Sequence, residues 1–369
     1  MRLAVSAASF LTLLGYVSAV AIPCNDGFPN PNADQQVAIA KEAGGLLPNV
    51  DLPTKLGPAS IITFQLIRFN ELFETAFFDS LIANVTKEID GFKVHQHKDK
   101  LLKILTAIRA QEEQHAIAAE AALKTANTTF IPSACQYRFP TTDLAGAIDL
   151  AETFTAVVLG VLQGASVNFA KESTLVPVQL IASVIGQEGE QNGFFRHILK
   201  QIPSESPFLT FVPAAFAYTA LQLFVVPGSC PYPLSNINLP IFPGLSVNDG
   251  PIAAIEPKDQ RLSFAADLST SDKAKSAPSY DGSKLFITYS TGQQKPISVP
   301  ITNVKWDGPK ISFDAEFPFE KNVMQGFSLA ALTTGGNFTA VDDIVASTLA
   351  APAFIQVKKS SDCDKLAEV

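Results

Sequence analysis

The sequence predicts a chain of two unlike halves: a four-helix bundle with a short fifth helix, followed by a C-terminal β-sandwich-like domain. Three observations predict this. Between residues 57 and 227 apolar side chains recur at spacings of three and four, and the long segments lack interior proline. After Pro231 the period drops to two, and proline and glycine become frequent. Each of the four long helical segments also interrupts its apolar seam with a carboxylate near the middle, which an ordinary bundle core would not tolerate.

Taken in order, residues 1–21 (MRLAVSAASFLTLLGYVSAVA) combine a basic start, an apolar stretch and small residues before Ala19 and Ala21. This is the pattern of a secretory signal and implies a secreted, extracellular or cell-wall protein. Residues 22–56 read as an extended segment. Within the bundle, residues 57–230, helices are expected over 58–85, 98–125, 142–171 and 177–200, with the fifth near 213–226. Gly57-Pro58 opens the first, Thr142 or Asp143 can cap the third, and Thr174 stands before the fourth. In the β-rich part, residues 231–358, Leu285, Ile287 and Tyr289 alternate, as do Ile297, Val299 and Ile301, then Ile311, Phe313, Ala315 and Phe317. Asp307-Gly308 provides a turn. Residues 359–369 form a tail.

Composition narrows the function. The chain has 27 basic and 35 acidic residues, a net charge of −8, which becomes −9 when Arg2 leaves with the signal. Without a Lys/Arg cluster, an acidic protein suits neither nucleic acid nor anionic membranes. The apolar run 208–226 is broken by Pro213 and falls short of the roughly 20 residues that span a bilayer, so it reads as a buried helix. Serine-hydrolase, P-loop and dinucleotide signatures are missing. Four cysteines fit an oxidising compartment. Of the three pairings, Cys135 with Cys230 is preferred because both follow helices at one end of the bundle, which leaves Cys24 with Cys363. Sequons at Asn84, Asn127 and Asn337 are available for glycosylation.

The seams carry the chemistry. The first reads Phe64, Ile67, Glu71, Glu74, Phe78, Leu81; the second Leu105, Ile108, Glu112, His115, Ala119; the third Ile148, Glu152, Thr155, Leu159; the fourth Ile181, Val184, Glu188, Gln191, Phe195. Burying several ionised carboxylates together is costly unless cations neutralise them. Glu71, Glu112, Glu152 and Glu188 sum to −4, which two divalent ions would balance, with His115 and Gln191 as neutral donors. Oxygen ligands with an imidazole suit iron or manganese. Glu74 is the alternative to Glu71. Three glycines, Gly186, Gly189 and Gly193, read as small residues that permit close packing beside the site. Arg68, Arg109 and Arg196 are the counter-argument, since guanidinium groups could pair with the acids one by one. His95, His97 and His197 read as solvated, and Asp149 and Glu190 as exposed.

One Glu on each of two helices and E-x-x-H on the others resembles the ferritin-like dimetal carboxylate pattern. Here the order is Glu71, Glu112-x-x-His115, Glu152, Glu188-x-x-Gln191, one helix pair repeated with spacings of 41 and 36 residues. The run Glu71-Leu-Phe-Glu-Thr-Ala-Phe-Phe78 is similar to an E-x-L-E-x-x-F-Y signature shared by plant desiccation-related proteins and secreted fungal proteins of stress response and late sexual development. The resemblance implies a ferritin-like fold, a dinuclear Fe or Mn centre and O₂- or peroxide-dependent oxidase chemistry on a small-molecule substrate. Two departures stand out. Gln191 replaces the usual second histidine, which implies a weaker second metal, and Phe78 stands where an aromatic hydroxyl is common. The competing reading is a non-enzymatic stress or developmental protein with a degenerate site, whose β-domain contacts wall glycan or another protein.

Overall fold

The computed structural model describes residues 20–21, 25–270 and 284–358. Residues 1–19 of the signal, Cys24, Cys363 and the 359–369 tail lie outside the described residues. The first helix, α1 (Ala33–Ala43), falls inside the segment read as extended. Its signals were local: Asn32 and Gln35 form a reciprocal capping box, and Gly44 ends the helix at φ 84°.

The bundle follows as α2 (Pro58–Thr86), α3 (Lys98–Thr125), α4 (Leu144–Lys171) and α5 (Leu175–Ile198), then a short α6 (Ala214–Leu221). Long apolar seams build α2 to α5, and side chains cap the starts of α4 and α2. Asp143 accepts from the Gly146 N–H at the start of α4. Glu172, just past α4, accepts from the Ala59 and Ser60 N–H groups, so the exit of one helix closes the entry of another. α5 runs unbroken through its three glycines. A Cβ at Gly186 or Gly189 would meet nothing, and one at Gly193 only ordinary contacts, so these residues are not close-packing devices, contrary to the expectation above. α4 is the one described helix long and apolar enough to cross a membrane, and most of that stretch is buried within the protein.

Two short strands, β1 (Val20–Ala21) and β2 (Gln136–Tyr137), pair antiparallel, and the β-rich half forms two further sheets. Strands β3 (Leu245–Val247), β5 (Gln260–Asp267), β9 (Lys310–Phe317) and β8 (Thr302–Asp307) make one, in that order. Strands β4 (Ile252–Ile255), β11 (Thr348–Val357), β10 (Gly326–Thr333), β6 (Phe286–Thr291) and β7 (Ile297–Pro300) make the other. Pairing is antiparallel except between β11 and β4. Leu262, Phe264, Ile287, Tyr289, Phe313 and Phe317 fill the space between the sheets. The other face of the five-stranded sheet carries Phe327, Leu329, Ala351 and Phe354 into the core of the bundle. β10 and β11 are therefore buried on both faces. The halves are not two self-contained cores; one sheet serves both. Cys135 and Cys230 are disulfide-bonded, tying the segment after α3 to the segment after α6.

A candidate metal centre

Every expected ligand is buried except His115, whose side chain keeps 16 % exposure. They do not form one group. Glu71, Glu112, His115 and Glu188 converge, each offering a ligand atom within 4.8 Å of all the others. His115 Nδ1 lies 2.9 Å from Glu112 Oε2 and 3.8 Å from both Glu71 Oε2 and Glu188 Oε1. Positions 112 and 115 share a face of α3, which faces Glu71 across the α2–α3 pair and Glu188 across the bundle.

The electrostatics follow from burial. Desolvation raises the Glu71 carboxyl to about 7 and pushes Glu74 and Glu188 well above the usual carboxylate range, reinforced by the neighbouring acids. Burial lowers His115, but its hydrogen bond to Glu112 and the charges of Glu112 and Glu71 outweigh it and hold the imidazole well above its ordinary value. Glu74, the alternative to Glu71, is buried on the same helix and feels Glu112, Glu71 and Glu188, while the converging group includes Glu71. Gln191 donates Nε2 to Glu112 Oε1 at 2.8 Å and to Gln111 Oε1 at 3.1 Å, so its amide orients a carboxylate.

Glu152 stands apart. Arg196 Nη1 lies 2.5 Å from Glu152 Oε1, and Gln356 Nε2 on β11 donates to Glu152 Oε2 at 2.9 Å. Arg196 also donates Nε to the Ile202 carbonyl and lies 3.6 Å from Glu205. Glu205, raised to about 7 by burial and the charge of Glu152, accepts from the Phe327 N–H. That contact relies on Gly326, at φ 79°, where a Cβ would stand 2.7 Å from the Glu205 side chain. The other arginines are engaged elsewhere, Arg68 with Glu120 and Arg109 with Asp26, Asp79 and Glu113. Sequence reasoning therefore missed the roles of Glu74, Glu205 and Gln356. Glu74 was visible on the seam, whereas Gln356 lies in the other half of the chain.

The first group suits a hard or borderline divalent cation. Glu71 Oε2, Glu74 Oε1 and both Glu188 carboxylate oxygens are buried without a hydrogen-bond donor, the state expected of ligand atoms and costly otherwise. Three carboxylates and an imidazole form an O/N donor set appropriate to iron or manganese. The second group has its cation in the covalent structure: Arg196 meets the charge of Glu152.

No curated protein matches the chain. The model of the ferritin-like domain matches residues 63–201, the stretch that supplies all six expected ligands together with Glu74 and Arg196, and the helical part of this chain is accordingly a ferritin-like domain.

Proposed function

We propose that the protein is a secreted, single-metal variant of the ferritin-like design, holding one Fe or Mn ion through Glu71, Glu112, His115 and Glu188. The observation that carries this reading is the split of the acidic seam: three carboxylates and a histidine converge with unpartnered oxygens, while Glu152 is neutralised by Arg196. When bound, such an ion supplies a one-electron couple able to react with O₂ or peroxide. The protein's own groups perform the rest. Gln191 holds one oxygen of Glu112 in place, His115 gives up its Nδ1 proton to admit the ion, and the raised carboxyls release theirs. Metal uptake is therefore coupled to proton release and strengthens as pH rises. A place in stress response or sexual development rests on the family resemblance. Secretion is supported by the N-terminal sequence pattern and by the disulfide.

Elemental analysis of protein secreted in iron-replete medium tests the assignment. One equivalent of metal per chain is expected, lost in both Glu112→Ala and His115→Ala. Two equivalents would restore the dinuclear reading. Metal-free wild type as stable as both variants would instead favour the structural reading, in which Arg196 marks the loss of metal chemistry.

A further inference from the structure

A cavity of about 420 Å³ opens beside the carboxylate–histidine group, between α2, α3, α4 and α5. It exists because α3 presents small side chains there, Ala118, Ala119 and Ala122, opposite Phe64, Ile67 and Ile181. A regular seam would place leucines at such positions and close the gap. Glu71 and His115 are among its lining residues, as are residues 44–48, Gly-Gly-Leu-Leu-Pro, with Leu46 left 83 % exposed. The walls are predominantly apolar, yet three of the lining side chains carry buried oxygens with no hydrogen-bond donor: Glu71 Oε2, Gln114 Oε1 and Gln187 Oε1. Glu71 is itself 1 % exposed. Its oxygen belongs to the proposed metal site, but the two amide oxygens have no such use. Unmet acceptors in an apolar recess call for a ligand that brings a donor.

From this geometry we infer that the cavity binds a neutral, apolar small molecule ending in a hydroxyl group, oriented with that hydroxyl toward Gln114, Gln187 and the Glu71–His115 pair. The class follows by exclusion as well. A carboxylate would meet Glu71 in the cavity wall, with Glu112 and Glu188 clustered behind it, and a glycan would leave most of its hydroxyls unpaired against hydrocarbon. The volume is at the small end of ordinary ligand pockets, so one molecule fits and a polymer does not. As a substrate site the assignment rests on the metal reading; as a binding site it does not, because the unpartnered amide oxygens belong to no proposed ligand.

The test uses the full-length protein after metal stripping, so that failure of the metal assignment leaves it intact. The probe is N-phenyl-1-naphthylamine, a neutral fluorophore, displaced by 1-dodecanol or dodecanoate. Saturable one-site binding is expected, with dodecanol displacing the probe at a concentration at least about tenfold below that needed for dodecanoate. Ala118→Trp, at a half-buried position, fills the cavity and should abolish probe binding while thermal unfolding remains cooperative. Gln187→Leu removes an acceptor without filling space, and should weaken dodecanol by about tenfold. The assignment is overturned by absence of saturable binding, by dodecanoate matching dodecanol, or by undiminished binding in a folded Ala118→Trp protein. If Ala118→Trp does not fold, unchanged dodecanol affinity in Gln187→Leu overturns it equally.

Discussion

The two ends of the acidic seam contain the same kind of residue and resolve its charge in opposite ways. Around Glu71, four buried acids face one imidazole, and several oxygens lack a donor. Around Glu152, two acids share a guanidinium, a glutamine and a backbone N–H. The first arrangement is tolerable only with protons or a metal ion held in it. The second is neutralised by the chain itself. A buried acid thus signals a metal site only when the fold supplies no cation of its own, and a seam pattern cannot distinguish the two cases.

The largest effect should come from removing the internal cation. Arg196→Leu leaves Glu152 and Glu205 buried without their charge partner and should cost about 3–5 kcal/mol in denaturant unfolding. Adding Glu152→Gln should recover part of that loss. If Arg196→Leu is neutral, the contrast between the two ends does not hold.

Next in size is the pH response of the metal-stripped protein. Glu71 is raised from 4.5 to about 7 in the folded state, so the fold retains a proton that the unfolded chain releases. Its contribution is complete below about pH 4.5 and is lost as pH rises to about 7, a loss of about 3 kcal/mol at 1.4 kcal/mol per pH unit. His115, also raised, extends the decline above its ordinary 6.5. Chemical denaturation across pH 4 to 8 checks this, and Glu71→Gln should flatten the lower part of the curve. Loading with Mn²⁺ should oppose the decline, because the ion replaces the protons. A stripped protein that gains stability over this interval would contradict the assignment of buried, proton-holding acids.

Smaller effects sharpen the comparison. Gln356→Leu removes the β-domain's donor to Glu152 Oε2 and should cost about 1–3 kcal/mol without changing metal content. Loss of metal in that variant would mean that the two ends are coupled. Smallest of all, Gly186→Ala and Gly189→Ala should each stabilise by about 0.5–1 kcal/mol in thermal unfolding, because a Cβ meets nothing at either position and alanine favours the helix.

Much of this molecule was written locally. The periods of three-to-four and of two separate the halves, and the long helices begin and end within a few residues of their expected limits. Glu71, Glu112, His115 and Glu188 stand out as polar interruptions because seam position follows from helical geometry alone. The signals of α1 were equally local in Asn32, Gln35 and Gly44, and were overlooked only because the helix is short.

Tertiary structure decided which acids meet which cations. Arg196 was a visible candidate, but its choice of Glu152 depends on how α4 and α5 pack, and Arg68 and Arg109 find partners away from the cluster. Gln356 reaches Glu152 across 204 positions of sequence, through a sheet whose second face docks on the bundle. The cavity is likewise a property of four helices at once, since small residues on α3 create space only if no neighbour fills it. Periodicity and capping act over one or two turns of chain and so can be read from sequence. Charge compensation and packing act between segments whose separation is set only when the whole core closes.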